Sequence, residues 1–121
     1  MVDVIRDDDS AEFFDGAARG ELMIKQCATC GHSLRPDAMA CSKCHGTALS
    51  WTRSSGRGSL VSWIVVHGGE PRIVGLVELD EGPWFHARLV DTDAAALSVG
   101  GEFVVGFEPA GPENVPVFRP A

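Results

Sequence analysis

Tyrosine is absent from the 121 residues, and aromatic residues make up only 7% of them. Grooves that stack successive nucleic-acid bases are built on such rings, and this chain has few to offer. Cationic residues are scarce as well: ten Lys and Arg stand against seventeen Asp and Glu, for a formal charge of -7. Non-specific nucleic-acid binding draws several phosphate contacts from a basic surface, so a nucleic-acid-binding ribbon or OB protein is only the alternative reading. Long apolar runs are also missing. Leu60 to Val66 is interrupted by serine and ends far short of the ~18 residues that span a bilayer, so no membrane contact is expected. The segment Met1 to Asp9 is acidic where a secretory leader would be basic and then apolar, and a cytoplasmic protein is expected. There is no glycine-rich phosphate loop and no G-x-S-x-G elbow. His67 and His86 read as a strand end and a barrel position, and neither forms an acid/base pair whose geometry can be argued. The length matches one domain of roughly 100 to 150 residues and excludes any large two-lobed or barrel enzyme.

What the chain does have is four cysteines in one short segment. Cys27, Cys30, Cys41 and Cys44 form C-x2-C-x10-C-x2-C. Each C-x2-C pair is a tight knuckle whose thiolates converge on one ion, as a tetrahedral four-sulfur zinc site requires. Two disulfides in so short a stretch of a reducing cytosol are disfavoured. Iron of the rubredoxin type also accepts four thiolates, which keeps a rubredoxin-like electron carrier as a second alternative. Rubredoxins place far more chain between their knuckles, and this favours a zinc ribbon with one structural Zn2+. His32 and His45 read as turn residues beside the thiolates.

Charge is distributed unevenly. Residues 1–26 carry seven acids and three bases, residues 27–60 one acid and four bases, and residues 61–121 nine acids and three bases. Four thiolates and one dication together take the formal -7 to about -9. The basic island comprises Arg35, Lys43, Arg53 and Arg57. It is too small for a nucleic-acid footprint, but it suits a small ligand with a few phosphates.

Local patterns give an order of elements. Asp9 or Ser10 can cap a helix over about residues 10–19, with Glu12 completing a capping box and Gly20 placed to stop it. Phe13 and Phe14 point about 100° apart on such a helix, so one is expected on the ribbon and the other is open to a partner or an acyl chain. Leu22 to Gln26 and Leu49 to Arg53 read as the ribbon strands. A segment this small buries too little apolar surface to fold alone, and metal binding supplies the missing free energy, about 10 to 16 kcal/mol in small zinc peptides. Beyond the turn Ser55-Gly56-Arg57-Gly58 come five strand-like runs: Ser59 to His67, Ile73 to Leu79, Trp84 to Val90, Glu102 to Phe107 and Val115 to Phe118. Asp91 to Leu97, capped by Asp91 or Thr92, suggests a helical turn before the fourth. The expected fold is mainly β: a short N-terminal helix and rubredoxin-like zinc ribbon, followed by a five-stranded OB-fold barrel. The division is 1–20 helical segment, 21–54 ribbon and 55–121 barrel.

Several segments carry a family resemblance in this order. They are Phe13-Phe14-Asp15-Gly16 with Gly20-Glu21-Leu22, the double knuckle, Ser55-Gly56-Arg57-Gly58-Ser59-Leu60-Val61-Ser62-Trp63, Gly75-Leu76-Val77-Glu78-Leu79-Asp80-Glu81-Gly82, and Val115-Pro116-Val117-Phe118. Together they resemble the zinc-ribbon plus OB-fold proteins catalogued as domain of unknown function number 35. The resemblance implies an accessory subunit of a thiolase-like enzyme, or of a hotdog-fold, MaoC-type enoyl-CoA hydratase in steroid side-chain degradation. Such a subunit binds or passes along acyl-CoA without catalysing a reaction itself. Coenzyme A needs a cationic patch beside an apolar groove, so Arg53 and Arg57 become candidates for its phosphates. Trp51, Trp63 and Phe14 become candidates for its adenine or acyl chain. With so little core, self-association is expected when the enzyme partner is absent.

Overall fold

The computed structural model describes Asp7 and residues 9–121; residues 1–6 and 8 of the N-terminal reading lie outside the described residues. Chain order begins with helix α1 (Ala11–Ala18) and ribbon strands β1 (Met23–Cys27), β2 (Ser33–Leu34) and β3 (Leu49–Arg53). The barrel strands follow: β4 (Arg57–Val66), β5 (Arg72–Leu79), β6 (Trp84–Leu89), β7 (Glu102–Ala110) and β8 (Glu113–Pro120). A 3-10 turn at Ala94–Ala96 stands between β6 and β7.

Helix α1 stops as glycine placement predicts. Gly20 takes φ +78°, and the Gly20 and Glu21 N–H groups return to the carbonyls of Ala17 and Gly16, a Schellman closure. Its start falls where expected, at Ser10, but the capping bonds differ. Ser10 is the cap residue but makes no side-chain cap bond. Instead, Asp7 Oδ1 accepts from Ser10 N at 2.8 Å and Ser10 Oγ accepts from Asp7 N at 2.9 Å. The capping acid lies before the cap rather than at Glu12. A similar correction applies after β6, where Asp93, not Asp91 or Thr92, caps the 3-10 turn by accepting from Ala96 N at 3.0 Å.

The ribbon is a three-stranded sheet in the order β2-β1-β3, and the barrel closes as β4-β5-β6-β8-β7. β4, β5 and β6 form an antiparallel meander, β6 meets β8 in parallel, and β7 joins β8 to β4. That circuit is the OB-fold. Inward positions obey the period of two: Leu60, Val77, Leu79, Leu89, Phe103 and Phe118 are buried together. Gly75 is paired with Ala87 beside them, and the Leu89 side chain fills the space a Cβ there would need.

Ribbon and barrel share this core. Leu22, just before β1, and Ile24, within it, are buried in the same cluster as the barrel residues. α1 packs against β1 and β8. Both of its phenylalanines are therefore covered: Phe13 stacks on Phe85 at 6.3 Å and meets Phe14 edge-on at 5.2 Å, and Phe14 is 8% exposed.

The junction is fixed by one carboxylate. Glu81, in the β5–β6 turn, accepts from the Ser54 hydroxyl at 2.7 Å and from Ser55 N at 2.8 Å. Ser54 is buried, and its N–H donates to Leu22 O at 2.8 Å. Burial alone would raise the Glu81 pKa; the Ser55 N–H and Ser54 hydroxyl outweigh it and hold the carboxyl below its ordinary value. A depressed carboxylate pKa stabilises the fold above the unfolded value, and that stabilisation is lost as pH falls through the folded value. Glu81→Gln should therefore lower unfolding free energy by about 1 to 2 kcal/mol at neutral pH. In denaturant titrations the gap from wild type should narrow below about pH 4; a gap independent of pH would contradict the assignment.

Candidate metal centre

The two knuckles are built alike. Cys27 O accepts from Gly31 N and Cys41 O from His45 N, each at 2.8 Å. Cys27 N donates to His32 O at 2.9 Å and Cys41 N to Gly46 O at 2.8 Å. Each turn needs a left-handed residue at the same place: Gly31 has φ +79° and His45 φ +64°. His45 thus occupies a backbone position that favours glycine, a turn role and not a ligand role. Gly46 packs closely on the site, since a Cβ there would lie 3.3 Å from Cys44 Sγ.

This duplication brings four sulfurs together. All four Sγ atoms lie within 4.8 Å of one another, with Cys27 to Cys44 at 3.5 Å and Cys30 to Cys41 at 3.6 Å. A tetrahedral site with metal–sulfur bonds of about 2.3 Å has sulfur–sulfur edges of about 3.8 Å, so this donor set fits one four-thiolate metal ion. In each knuckle the first cysteine is buried and the second exposed.

Thiol electrostatics agree with that fit. N–H groups of Cys30 and Thr29 favour the Cys27 thiolate, lowering its pKa to about 6 against the cost of burial. The Cys44 and Lys43 N–H groups lower that of Cys41 similarly, and Lys43 N donates to Cys41 Sγ at 3.4 Å. At Cys44 the Gly46 N–H also favours the thiolate, but the neighbouring Cys27 sulfur, burial, and the Cys30 and Cys41 sulfurs prevail and push the pKa up to about 12. Four sulfurs this close do not all ionise without a cation, and a bound metal compensates their mutual repulsion. Four thiolates fill the coordination sphere and leave no open position for a reactive water.

The other sequence candidates are dispersed. Arg53 ends β3 and pairs with Glu21 at 3.5 Å, while Arg57 begins β4 with an exposed side chain. Trp51 lies under the Lys25 ammonium, 5.0 Å from the ring centroid. Trp63 packs against the barrel core and lines a small cleft of about 140 Å³ with Ile64 and His86. Phe14, expected to meet a ligand, is covered by helix packing as described.

A larger cleft, of about 430 Å³, lies instead between ribbon residues 32–42 and the barrel turn Gly82-Pro83-Trp84. Trp84 is 46% exposed there, its indole N–H fixed on Glu78 Oε2 at 2.8 Å. Sequence reading missed it because Trp84 opened an ordinary strand; the Gly-Pro turn just before it was the available signal. Among the described residues, no helix is long and apolar enough to cross a membrane.

Fold and site define a class: a four-cysteine ribbon joined to an OB barrel. Residues 14–50 match the family described as ChsH2, rubredoxin-like zinc ribbon domain, and residues 51–108 match ChsH2, C-terminal OB-fold domain. The chain belongs to this ChsH2 or DUF35 family of zinc-ribbon plus OB-fold proteins.

A probable enoyl-CoA hydratase alpha subunit of Thermomonospora curvata is 32% identical over 120 residues, covering 93% of this chain and 38% of that one. The 3-oxo-4,17-pregnadiene-20-carboxyl-CoA hydratase alpha subunit of Mycobacterium tuberculosis is 32% identical over 98 residues, 76% of this chain and 31% of that one. The chain thus spans only about a third of the length of these relatives. A DUF35 domain-containing scaffold protein of Methanothermobacter thermautotrophicus is 28% identical, with 74% and 73% covered. Among solved structures, a chain of an Ltp2-ChsH2(DUF35) aldolase superposes with a TM-score of 0.85 at 30% identity, covering 97% of this chain and 98% of that one.

The knuckle geometry predicts one metal ion per chain by elemental analysis. Chelation, or Cys41→Ser, should unfold the cluster of Cys27, Leu34, Cys41, Ala38 and Leu49. Leu22 and Ile24 should stay ordered with the barrel, as read from amide hydrogen exchange; uniform loss of protection would contradict separate anchoring of the two ribbon ends.

Proposed function

We propose that this chain is a non-catalytic scaffold subunit of an acyl-CoA-processing complex, with a thiolase-like or hotdog-fold enoyl-CoA hydratase partner. The observation that carries this reading is the likeness, over 97% of this chain, to a chain of an Ltp2-ChsH2(DUF35) aldolase. The alpha-subunit and scaffold names of the relatives support it. The closed four-thiolate centre supports it too, because a metal held by four sulfurs offers no position for substrate.

The metal in this proposal is zinc with a structural role, and the compartment is the cytoplasm. Zinc is colourless, whereas ferric four-thiolate iron is red, so the visible spectrum of the purified protein decides between them. Arg53 and Arg57, on either side of the ribbon–barrel junction, are proposed to contact the phosphates of acyl-CoA. Trp51 and Trp63 would lie toward its adenine or acyl group. Arg53 would exchange its Glu21 contact for phosphate. That pair is exposed and contributes little stability.

Co-expression with a thiolase-like or hotdog-fold hydratase from the same genome, followed by gel filtration, should yield one co-eluting complex; separate elution from every such enzyme would count against the subunit role. Isothermal titration of that complex with a long acyl-CoA tests the ligand contact. Arg53→Ala/Arg57→Ala should weaken binding by roughly tenfold or more, the loss of charge-assisted phosphate contacts. Unchanged affinity would remove these arginines from the site.

A further inference from the structure

One edge of the barrel wall is left open. Arg57, Gly58 and Ser59 of β4 pair with β7, and the last backbone bonds on that side join Leu60 to Gly100 and Gly101. The β4–β5 register then shifts between Leu60 and Ser62, a bulge that bends the strand away. From Ser62 to Val66, β4 pairs with β5 alone, and its opposite edge has no backbone partner among the described residues. Alternate N–H and C=O groups of this half-strand are free to extend the sheet.

The composition of that half-strand invites pairing. No Asp, Glu, Lys or Arg lies between Arg57 and Glu70, and no proline falls within β4. Lysine, proline and inward charge are the usual devices that keep an edge from pairing, and this edge carries none. Its outward row, Ser62, Ile64 and Val66, is uncharged: Ile64 is 63% exposed and stands opposite Val74 of β5.

We propose that a second copy of this chain pairs antiparallel with Ser62–Val66, about a two-fold axis at Ile64. In this register Ile64 faces the partner's Ile64, and Ser62 faces the partner's Val66. An antiparallel edge of one sequence is complementary to itself and closes as a two-fold dimer. Charge singles out this surface. The chain carries -7, so two copies repel over most approaches, but here uncharged strands meet. The nearest charged groups in the same rows are the bases Arg72 and Arg88, opposite Val66 and Val74. Five paired residues make a small, reversible interface. This proposal names the surface behind the self-association expected of the isolated subunit, and it does not require the acyl-CoA role.

Sedimentation equilibrium of the full metal-loaded chain should show a monomer–dimer equilibrium. Ile64→Lys should raise the dissociation constant by at least about tenfold, and Ser62→Lys, on the same exposed row, should act alike. Val99→Lys, at an exposed residue outside this strand, should leave it unchanged. In hydrogen exchange, amides of Ser62–Val66 should slow as concentration rises. A monomer at every concentration overturns the proposal, as does a dimer indifferent to both lysine variants. Protection that arises only when the enzyme partner is added also overturns it and assigns the edge to that enzyme. Co-elution of Ile64→Lys with the enzyme is scored separately, so loss of the homodimer with enzyme binding intact distinguishes this proposal from the scaffold role.

Discussion

The convergence of four cysteine sulfurs on one metal-sized site is the constraint that organises the ribbon. Sulfurs 3.5 Å and 3.6 Å apart repel when ionised, and only a bound metal turns that repulsion into cohesion. The apolar cluster around them is small: Cys27, Leu34 and Cys41, with Ala38 and Leu49 against them. Such a patch does not offset the entropy of ordering its loops without help. The backbone conforms to the metal's demands, with Gly31 and His45 held left-handed and Gly46 packed closely on the site.

The metal governs only one end of the ribbon. The other end enters the barrel through Leu22 and Ile24 and is tied there by Ser54 and Glu81. Helix α1 lies over the same region, with Phe13 on Phe85 and Phe85 edge-on to Phe118. Two segments that are each undersized for independent folding share one apolar core. The relative placement of ribbon and barrel, and with it the cleft walled by Trp84, follows from packing and one carboxylate, not from the metal.

How much could be read from the chain depended on the range of the interactions. The knuckles were legible because C-x2-C chemistry is local. Ribbon strands β1 and β3 and the five barrel strands were legible because side chains alternate along them, although the two-residue β2 was not foreseen and β7 and β8 run longer than the apolar pattern showed, through Pro109 and Pro120. Gly20 gave the end of α1 and Ser10 its cap, but the reciprocal bonds of the cap run to Asp7 and not to Glu12. The basic island looked available in sequence, yet Arg35 is met by Asp37 and Arg53 by Glu21. The exposed face of Trp84 and the unpaired half of β4 arise only when distant segments assemble; the Gly82-Pro83 turn was a local sign of the first, and no local pattern announced the second.

In the proposed scaffold role the four-cysteine centre holds the ribbon and the chemistry belongs to the partner enzyme. The central claim is that this metal is fully coordinated by protein sulfur and plays no part in turnover. X-ray absorption at the metal edge, recorded on the complex with its enzyme, tests it most directly. The account predicts four sulfurs at about 2.3 Å and a spectrum unchanged by acyl-CoA. An oxygen or nitrogen bonded to the metal, or a ligand exchanged when substrate is added, would contradict it.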